Sequence, residues 1–169
     1  MGLLMKLRIT TRIFVLAAFV LSMAAGVAPF GGSARAAGKS VVVVVAASSA
    51  AKDIDVATLR RLFSGQPADV AGKRLIPINH PAGTPLRTSF DKQVLGLNAA
   101  DVGKFWIDKR IRDEGAPPKT VPSAELAVRI AASLPGAITY ALLEQVNASV
   151  KVLTVDGKAH SAAGYPLSL

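Results

Sequence analysis

The residues best suited to chemistry lie in one short segment, Asn79–Arg87, where an apolar strand pattern runs into a glycine turn and then a helix start. A junction of this kind presents free backbone N–H groups and the positive end of a helix dipole at one place. Thr84 adds a hydroxyl group there, and Arg87 adds a cation in the first helical turn, where the dipole alone would favour an acid. The segment therefore predicts an anion-binding site at Thr84 and Arg87.

Two ordinary explanations of the same residues stay open. A Thr-Pro pair is a common helix start, because the Thr side chain caps the helix and Pro suits its first position. Arg87 could remain in solvent, or it could pair with Asp91, which follows four residues later on the same helix face. In either case the cation needs no ligand.

Groups able to catalyse a reaction are sparse. His80 and His160 are the only histidines and lie far apart in the chain, there is no cysteine, and no serine stands in a Gly-x-Ser-x-Gly turn. Asp91, Asp101 and Asp108 are isolated acids on predicted helices, where such residues are typically surface charges. The sequence therefore predicts a protein that is not an enzyme and has no metal site and no cofactor.

The first 36 residues are predicted to form a signal peptide. Basic residues between Lys6 and Arg12 precede the uncharged apolar run Ile13–Ala28, and Ala34–Ala36 has the small-x-small pattern that a signal peptidase accepts. The alternative is an uncleaved membrane anchor, although the run is shorter than the roughly 20 residues that span a bilayer. Cleavage after Ala36 would place the mature protein in the periplasm.

The chain carries a formal net charge of +9, and residues 1–36 hold four of the basic side chains and no acid, which leaves +5 for the remainder. A surplus of this size lacks the dense basic stripe of a nucleic-acid-binding protein. It suits a small anionic ligand or an acidic partner. Without cysteine, the domain must be held together by its apolar core, and the remaining length is sufficient to form one.

Helical and strand-like patterns alternate along this remainder. Val41–Ala47 is an unbroken apolar run, typical of a strand buried on both faces of an α/β sheet. Further strands are predicted at 75–79, 137–142 and 150–155, and helices at 56–63, 85–95, 99–107 and 124–133. We expect a three-layer α/β domain over residues 37–157, with a mixed or mostly parallel sheet flanked by helices. Residues 158–169 show little pattern and are expected to form a loose tail.

Four blocks of sequence resemble phosphate-type periplasmic substrate-binding proteins, and they occur in that family's order. They are Leu59–Gly65, similar to a conserved helix end of the family; Gly83–Phe90, similar to its Gly-Ser-Gly-Thr-Arg-x-x-Phe phosphate loop; Phe105-Trp106; and Pro135–Tyr140, similar to its Pro-Gly-Ala-Ile-Gly-Tyr strand. Together they cover about Val41 to Val155. The resemblance implies one lobe of the type 2 periplasmic-binding fold, since full members have two lobes and grip phosphate between them.

The resemblance carries the anion site onto Gly83, Thr84 and Arg87. Pro85 stands where the family has its second glycine, which removes a backbone N–H, and Leu86 stands where the family has threonine, which removes a hydroxyl group. Buried phosphate is held by many charge-assisted hydrogen bonds, so the loss of two donors implies weak binding.

The expected function is that of an exported solute-binding protein, similar to the substrate-binding component of phosphate ABC transport, which binds phosphate or another small oxyanion weakly. Its expected partners are that anion and an ABC transporter or another envelope protein, without nucleic acid, and with membrane contact only if the signal segment stays uncleaved. The alternative is a single-lobe envelope interaction protein that has lost anion binding. In both cases, four aromatic residues of the matching blocks are expected to lie in the core: Phe63, Phe90, Trp106 and Tyr140.

Overall fold

The computed structural model describes residues 39–169, so the predicted signal peptide lies outside the described residues. Within this range the strands are β1 (Val41–Ala46), β2 (Asp53–Ile54), β3 (Asp69–Val70), β4 (Lys73–Arg74), β5 (Ile76–Asn79), β6 (Lys119–Thr120), β7 (Ala137–Leu142), β8 (Val150–Val152) and β9 (Thr154–Val155). The α-helices are α1 (Val56–Phe63), α2 (Pro85–Phe90), α3 (Ala99–Ile111) and α4 (Ala124–Ser133). Within residues 39–169, each helix is too short or too polar to span a bilayer.

Strand β1 lies inside a five-stranded mixed sheet with the order β6-β5-β7-β1-β8. It pairs antiparallel with β7, where Val43 lies opposite Tyr140, and antiparallel with β8, where Val45 lies opposite Lys151. Strand β5 pairs parallel with both β7 and β6. The valines of β1 are all buried, as the unbroken apolar run predicts for a strand covered on both faces.

Helices cover both faces of this sheet. Alternate valines of β1 point to opposite faces. On one face they share a core with Leu62 of α1 and Phe90 of α2. On the other face they share a core with Val128 and Ala131 of α4. The predicted three-layer α/β architecture is confirmed.

The helix starts follow the capping residues that the sequence contains. Asp55, Asn98 and Ser123 each accept a hydrogen bond from a backbone N–H two or three residues later. Thr84 begins α2 in the same way, with Pro85 at the first helical position. The helix then continues into one wider turn at Asp91–Leu95, in which the N–H to C=O bonds span five residues.

Two elements differ from their predicted bounds. Helix α3 extends to Ile111 rather than ending near Ile107, because no glycine or proline interrupts the turn between them. The strand predicted over 150–155 is divided at Leu153, whose N–H bonds to the Val43 carbonyl. Beyond this point β9 leaves β1 and pairs parallel with β2.

The expectation of a loose tail over residues 158–169 is wrong. Leu167 is 2% exposed and belongs to the core. Both the carbonyl and the N–H of Ser168 bond to side chains of α2 and the turn after it. The N–H of Leu169 donates to the Lys39 carbonyl oxygen at 3.0 Å. These contacts join residues far apart in the chain, so no local pattern could reveal them.

Candidate functional site

A cleft of about 330 Å³ lies between the start of α2, one face of α3 and the segment 117–120. The loop before α2 contributes Gly83, whose φ of +81° favours glycine. Helix α2 and the turn after it contribute Arg87 and Asp91, and α3 contributes Trp106. The cleft therefore brings part of the predicted anion site together with a helix that follows it in the chain.

Arg87 is only 6% exposed, and its charge is matched within the protein. Its Nε donates to Asp91 Oδ2 at 2.6 Å, and its Nη1 donates to the His80 carbonyl oxygen at 3.1 Å. Asp91 is 3% exposed, so its interpretation as a surface charge is wrong: it lies on the same buried helix face as Arg87, one turn later. The sequence left open whether Arg87 stays in solvent or pairs with Asp91, and the structure shows the ion pair with Asp91.

Thr84 caps α2 but does not line the cleft. Its Oγ1 donates to the Pro81 carbonyl oxygen at 2.9 Å and accepts from the Arg87 N–H at 3.4 Å. The Thr88 N–H bonds to the Thr84 carbonyl, and Pro85 has no N–H to offer. Most of the donors at this helix start are therefore used within the loop and the helix, and Gly83 and Arg87 are the predicted site residues that line the cleft.

Two polar atoms of the cleft residues have no hydrogen-bond partner among residues 39–169. They are Asp91 Oδ1, an acceptor, and Trp106 Nε1, a donor, and both are screened from solvent. Buried polar atoms without a partner are rare in folded proteins and cost about 1–3 kcal/mol each. Both atoms belong to residues that line the cleft.

Burial controls the ionisable groups around the cleft. It raises the pKa of Asp91, and the Arg87 guanidinium beside this carboxyl opposes the rise. Burial lowers the pKa of His80, and the nearby positive charge of Arg87 lowers it further. The hydrogen bond to the Tyr140 carbonyl acts in the opposite direction and raises this pKa. Within residues 39–169, no group of three or more His, Cys, Asp or Glu is placed to hold a metal ion.

A second buried polar cluster lies beside the cleft and is closed on itself. The Tyr140 hydroxyl donates to Asn79 Oδ1 at 2.6 Å, and the His80 N–H donates to the same oxygen at 3.0 Å. His80 Nε2 in turn donates to the Tyr140 carbonyl oxygen at 2.6 Å. Arg87 Nη1 donates to the His80 carbonyl and so links this cluster to the Arg87–Asp91 ion pair. We call Asn79, His80 and Tyr140 the closed cluster.

Three of the four aromatic residues expected in the core are found there: Phe63, Phe90 and Tyr140. Trp106 is only partly buried, and its ring lies edge-on to Phe105 with ring centroids 5.0 Å apart. The sequence interpretation therefore missed Trp106 as a residue of the cleft. Helical spacing places Trp106 on the same face of α3 as Ala99, seven residues earlier, but it does not show that this face lines a cleft.

No family model and no curated protein sequence matches this chain. Among solved structures it is similar to an ABC-type phosphate transport receptor from Vibrio cholerae, with a TM-score of 0.59 and 15% identity, over 74% of this chain and 49% of that one. It is similar to a substrate-binding protein assigned to phosphate ABC transport from Clostridium perfringens, solved with bound phosphate, with a TM-score of 0.59 and 15% identity, over 73% and 48% of the two chains. For PstS from Borrelia burgdorferi the TM-score is 0.53 and the identity 14%, over 73% and 49%.

The likeness is one of fold. This chain spans about half the length of the solved proteins that it matches. The fold expected from the sequence, one lobe of a periplasmic-binding-type protein, agrees with these structures.

Proposed function

We propose that this chain is an exported, single-lobe solute-binding protein that binds phosphate or a similar small oxyanion weakly in the cleft. Gly83 and Arg87 would face the anion, and Thr84 would hold the loop between them in shape. An ABC transporter or another envelope protein is the proposed partner. The fold shared with proteins named for phosphate transport supports this proposal.

The proposal depends on the ion pair between Arg87 and Asp91, in which each side chain keeps one polar atom without a hydrogen bond in the described part of the chain. Within residues 39–169, Arg87 Nη2 makes no hydrogen bond, and Asp91 Oδ1 has no partner. The pair thus offers donors beside an acceptor. An oxyanion that retains a proton complements both, because its bare oxygens accept from the guanidinium and its hydroxyl group donates to the carboxylate. Phosphate carries such a proton at neutral pH, whereas sulfate does not and would set its lone pairs against those of Asp91.

The same pair explains why the binding would be weak. Asp91 already neutralises most of the Arg87 charge, so an incoming anion gains less Coulomb energy than at an unpaired guanidinium. Pro85 and the Thr84 cap leave few backbone donors at this helix start. Affinity would therefore depend on hydrogen-bond geometry more than on net charge.

Calorimetry at low ionic strength and pH 7 tests the proposal. We expect saturable heat with phosphate and at least tenfold weaker binding of sulfate. Asp91→Asn should weaken the binding of phosphate and reduce the difference in affinity between phosphate and sulfate, because the acceptor loses its charge. Arg61→Ala is the matched control, since Arg61 is an exposed cation of α1 that does not line the cleft. Absence of saturable heat with both anions would end the proposal.

Export is tested separately. Residues 1–36 are proposed to be removed, so the protein recovered from the periplasmic fraction should begin at Ala37. Intact mass measurement of that protein decides this. A full-length mass in the membrane fraction would instead support the uncleaved anchor.

A second candidate function, docking to an envelope protein without anion binding, is favoured by one observation. Ile107 is 60% exposed and Ile111 is 78% exposed on α3. Large apolar side chains that protrude from one helix are typical of protein contact sites when they occur together. Loss of co-purification with an envelope partner in Ile111→Lys, in a protein that gives no heat with phosphate or sulfate, would favour this function over the first.

A further inference from the structure

The indole group of Trp106 occupies a position that packing alone does not explain. Trp106 is the only tryptophan of the chain, and it lies on the α3 face that lines the cleft, in register with Ala99, Val102 and Gly103. Its Nε1 is screened from solvent and has no partner within residues 39–169. A phenylalanine would fill much of the same space without a buried donor, so the N–H group itself needs an account.

The ring is held in place from one side. A Cβ atom added at Gly65 would lie 3.3 Å from both Cζ3 and Cη2 of Trp106, so the six-membered ring of the indole packs directly on this glycine. Gly65 itself has a φ of +85°, and an added Cβ would come within 2.8 Å of the Ala116 carbonyl oxygen. A larger residue therefore cannot replace it without displacing the loop or the ring. The N–H belongs to the other ring of the indole, which this contact does not involve. Because Nε1 has almost no accessible surface, a ligand reaches it only after a small shift of the ring or its neighbours.

The surroundings of the indole suit a small ligand. Gly103 lies one helical turn before Trp106 on the cleft wall, and nothing occupies the space where its Cβ would stand. The part of the lining that belongs to α2 and the turn after it carries Arg87 and Asp91. The cleft thus has a cationic donor and an acceptor on one wall and a neutral donor on the other.

We infer that Trp106 is a specificity-determining residue of the cleft, whose indole N–H donates a hydrogen bond to the bound oxyanion from the α3 side. This inference rests on the proposed oxyanion binding and adds that α3 supplies one of the hydrogen-bond donors. An indole N–H is a neutral donor and cannot accept, so it selects a bare oxygen of the ligand. The ligand is then held between α2 and α3 rather than on α2 alone.

The single tryptophan makes the test direct. In ¹⁵N-labelled protein, one indole N–H resonance is expected, and it belongs to Trp106. Titration with inorganic phosphate should shift this resonance downfield along the calorimetric binding curve, whereas sodium chloride at equal ionic strength should leave it in place. Trp106→Phe should weaken phosphate binding by about five- to tenfold, as expected for one lost hydrogen bond.

Ile107→Ala is the matched control, because Ile107 is an exposed neighbour of Trp106 on α3 that does not line the cleft. It should bind phosphate as the unaltered protein does. If phosphate binds but the indole resonance stays in place and Trp106→Phe binds normally, the role of Trp106 is wrong and the proposed function stands. If phosphate gives no calorimetric heat, the proposed function fails and this inference fails with it.

Discussion

Two buried polar clusters lie side by side in this domain, and they differ in how completely they are satisfied. In the closed cluster, Asn79, His80 and Tyr140 bond to one another, and none of their buried polar atoms lacks a partner. In the cleft, Asp91 and Trp106 each keep a buried atom without one. The difference separates two roles. A cluster that satisfies itself stabilises the fold, whereas one that leaves a donor and an acceptor unpaired is suited to a solute.

The largest expected effect follows removal of the cation of the cleft. Arg87→Ala leaves the carboxylate of Asp91 buried without its partner, and we expect the free energy of unfolding to fall by about 3–5 kcal/mol. Urea unfolding at pH 7 measures this. The double variant Arg87→Met with Asp91→Leu is the control, because it removes both charges and should recover much of the loss. A single-variant loss below about 1 kcal/mol would show that the pair is solvated in solution.

The second largest effect belongs to the closed cluster. Tyr140→Phe removes a donor from Asn79 Oδ1, and we expect a loss of about 1–3 kcal/mol in unfolding free energy. Phosphate affinity should not change, because the hydroxyl group bonds within the closed cluster rather than in the cleft. Paired urea unfolding and calorimetry measure the two quantities. A change of affinity comparable to the change of stability would mean that the two clusters cannot be separated.

The clusters should also respond to pH with opposite signs. The folded-state pKa of His80 is lowered from its ordinary value of 6.5, so the unfolded state binds more protons below about pH 6.5 and stability falls as the pH falls further. The pKa of Asp91 is raised from 3.8, so its contribution is fully present below about pH 3.8 and is lost as the pH rises through the folded-state pKa. Between pH 7 and 5 the unfolded state protonates His80 more readily than the folded state, so we expect His80 to lower the stability as the pH falls through this range.

Urea unfolding at pH 7, 6 and 5 checks this dependence. His80→Gln should flatten the decline of stability with falling pH. His160→Gln, at the other histidine, should keep the slope of the unaltered protein. An equal slope in His80→Gln and in the unaltered protein would contradict the assignment of this acid sensitivity to His80.

The smallest effect gives the sharpest contrast between the clusters. Trp106→Phe removes a buried N–H that has no partner within residues 39–169 and also removes part of the ring that packs on Gly65. These effects oppose each other, so the free energy of unfolding should change by less than about 1 kcal/mol. The same kind of substitution at Tyr140 removes a hydrogen bond that exists. Thermal unfolding of the two variants under one set of conditions compares them. A larger loss in Trp106→Phe than in Tyr140→Phe would place the tryptophan among the residues that stabilise the fold.

The elements that sequence patterns predicted well are those governed by near neighbours. The burial of β1 followed from its unbroken apolar run, and the starts of α1 and α4 followed from Asp55 and Ser123. The spacing of Arg87 and Asp91 permitted their ion pair. Only the packing of α2 onto the domain decides that the pair is buried, and no local pattern contains that information.

The cleft could not be predicted because α3 gives no clear periodic signal. Val102 and Trp106 are partly buried on the cleft side, whereas Ile107 and Ile111 are exposed. Since apolar residues occur around much of this helix, the sequence does not show which face turns inward. The docking of Leu167 into the core was hidden for a related reason, because its contacts are made with residues distant in the chain.

The hydrogen bond between Leu169 and Lys39 places the two ends of the described segment next to each other. A short linker could therefore join them, which is the geometry that circular permutation requires. New ends opened at the exposed Gly96 would put α3 first and α2 last in the rearranged polypeptide. The direct chain connection between the two walls of the cleft would then be cut, so its effect on their relative mobility could be measured without changing a side chain that lines the cleft.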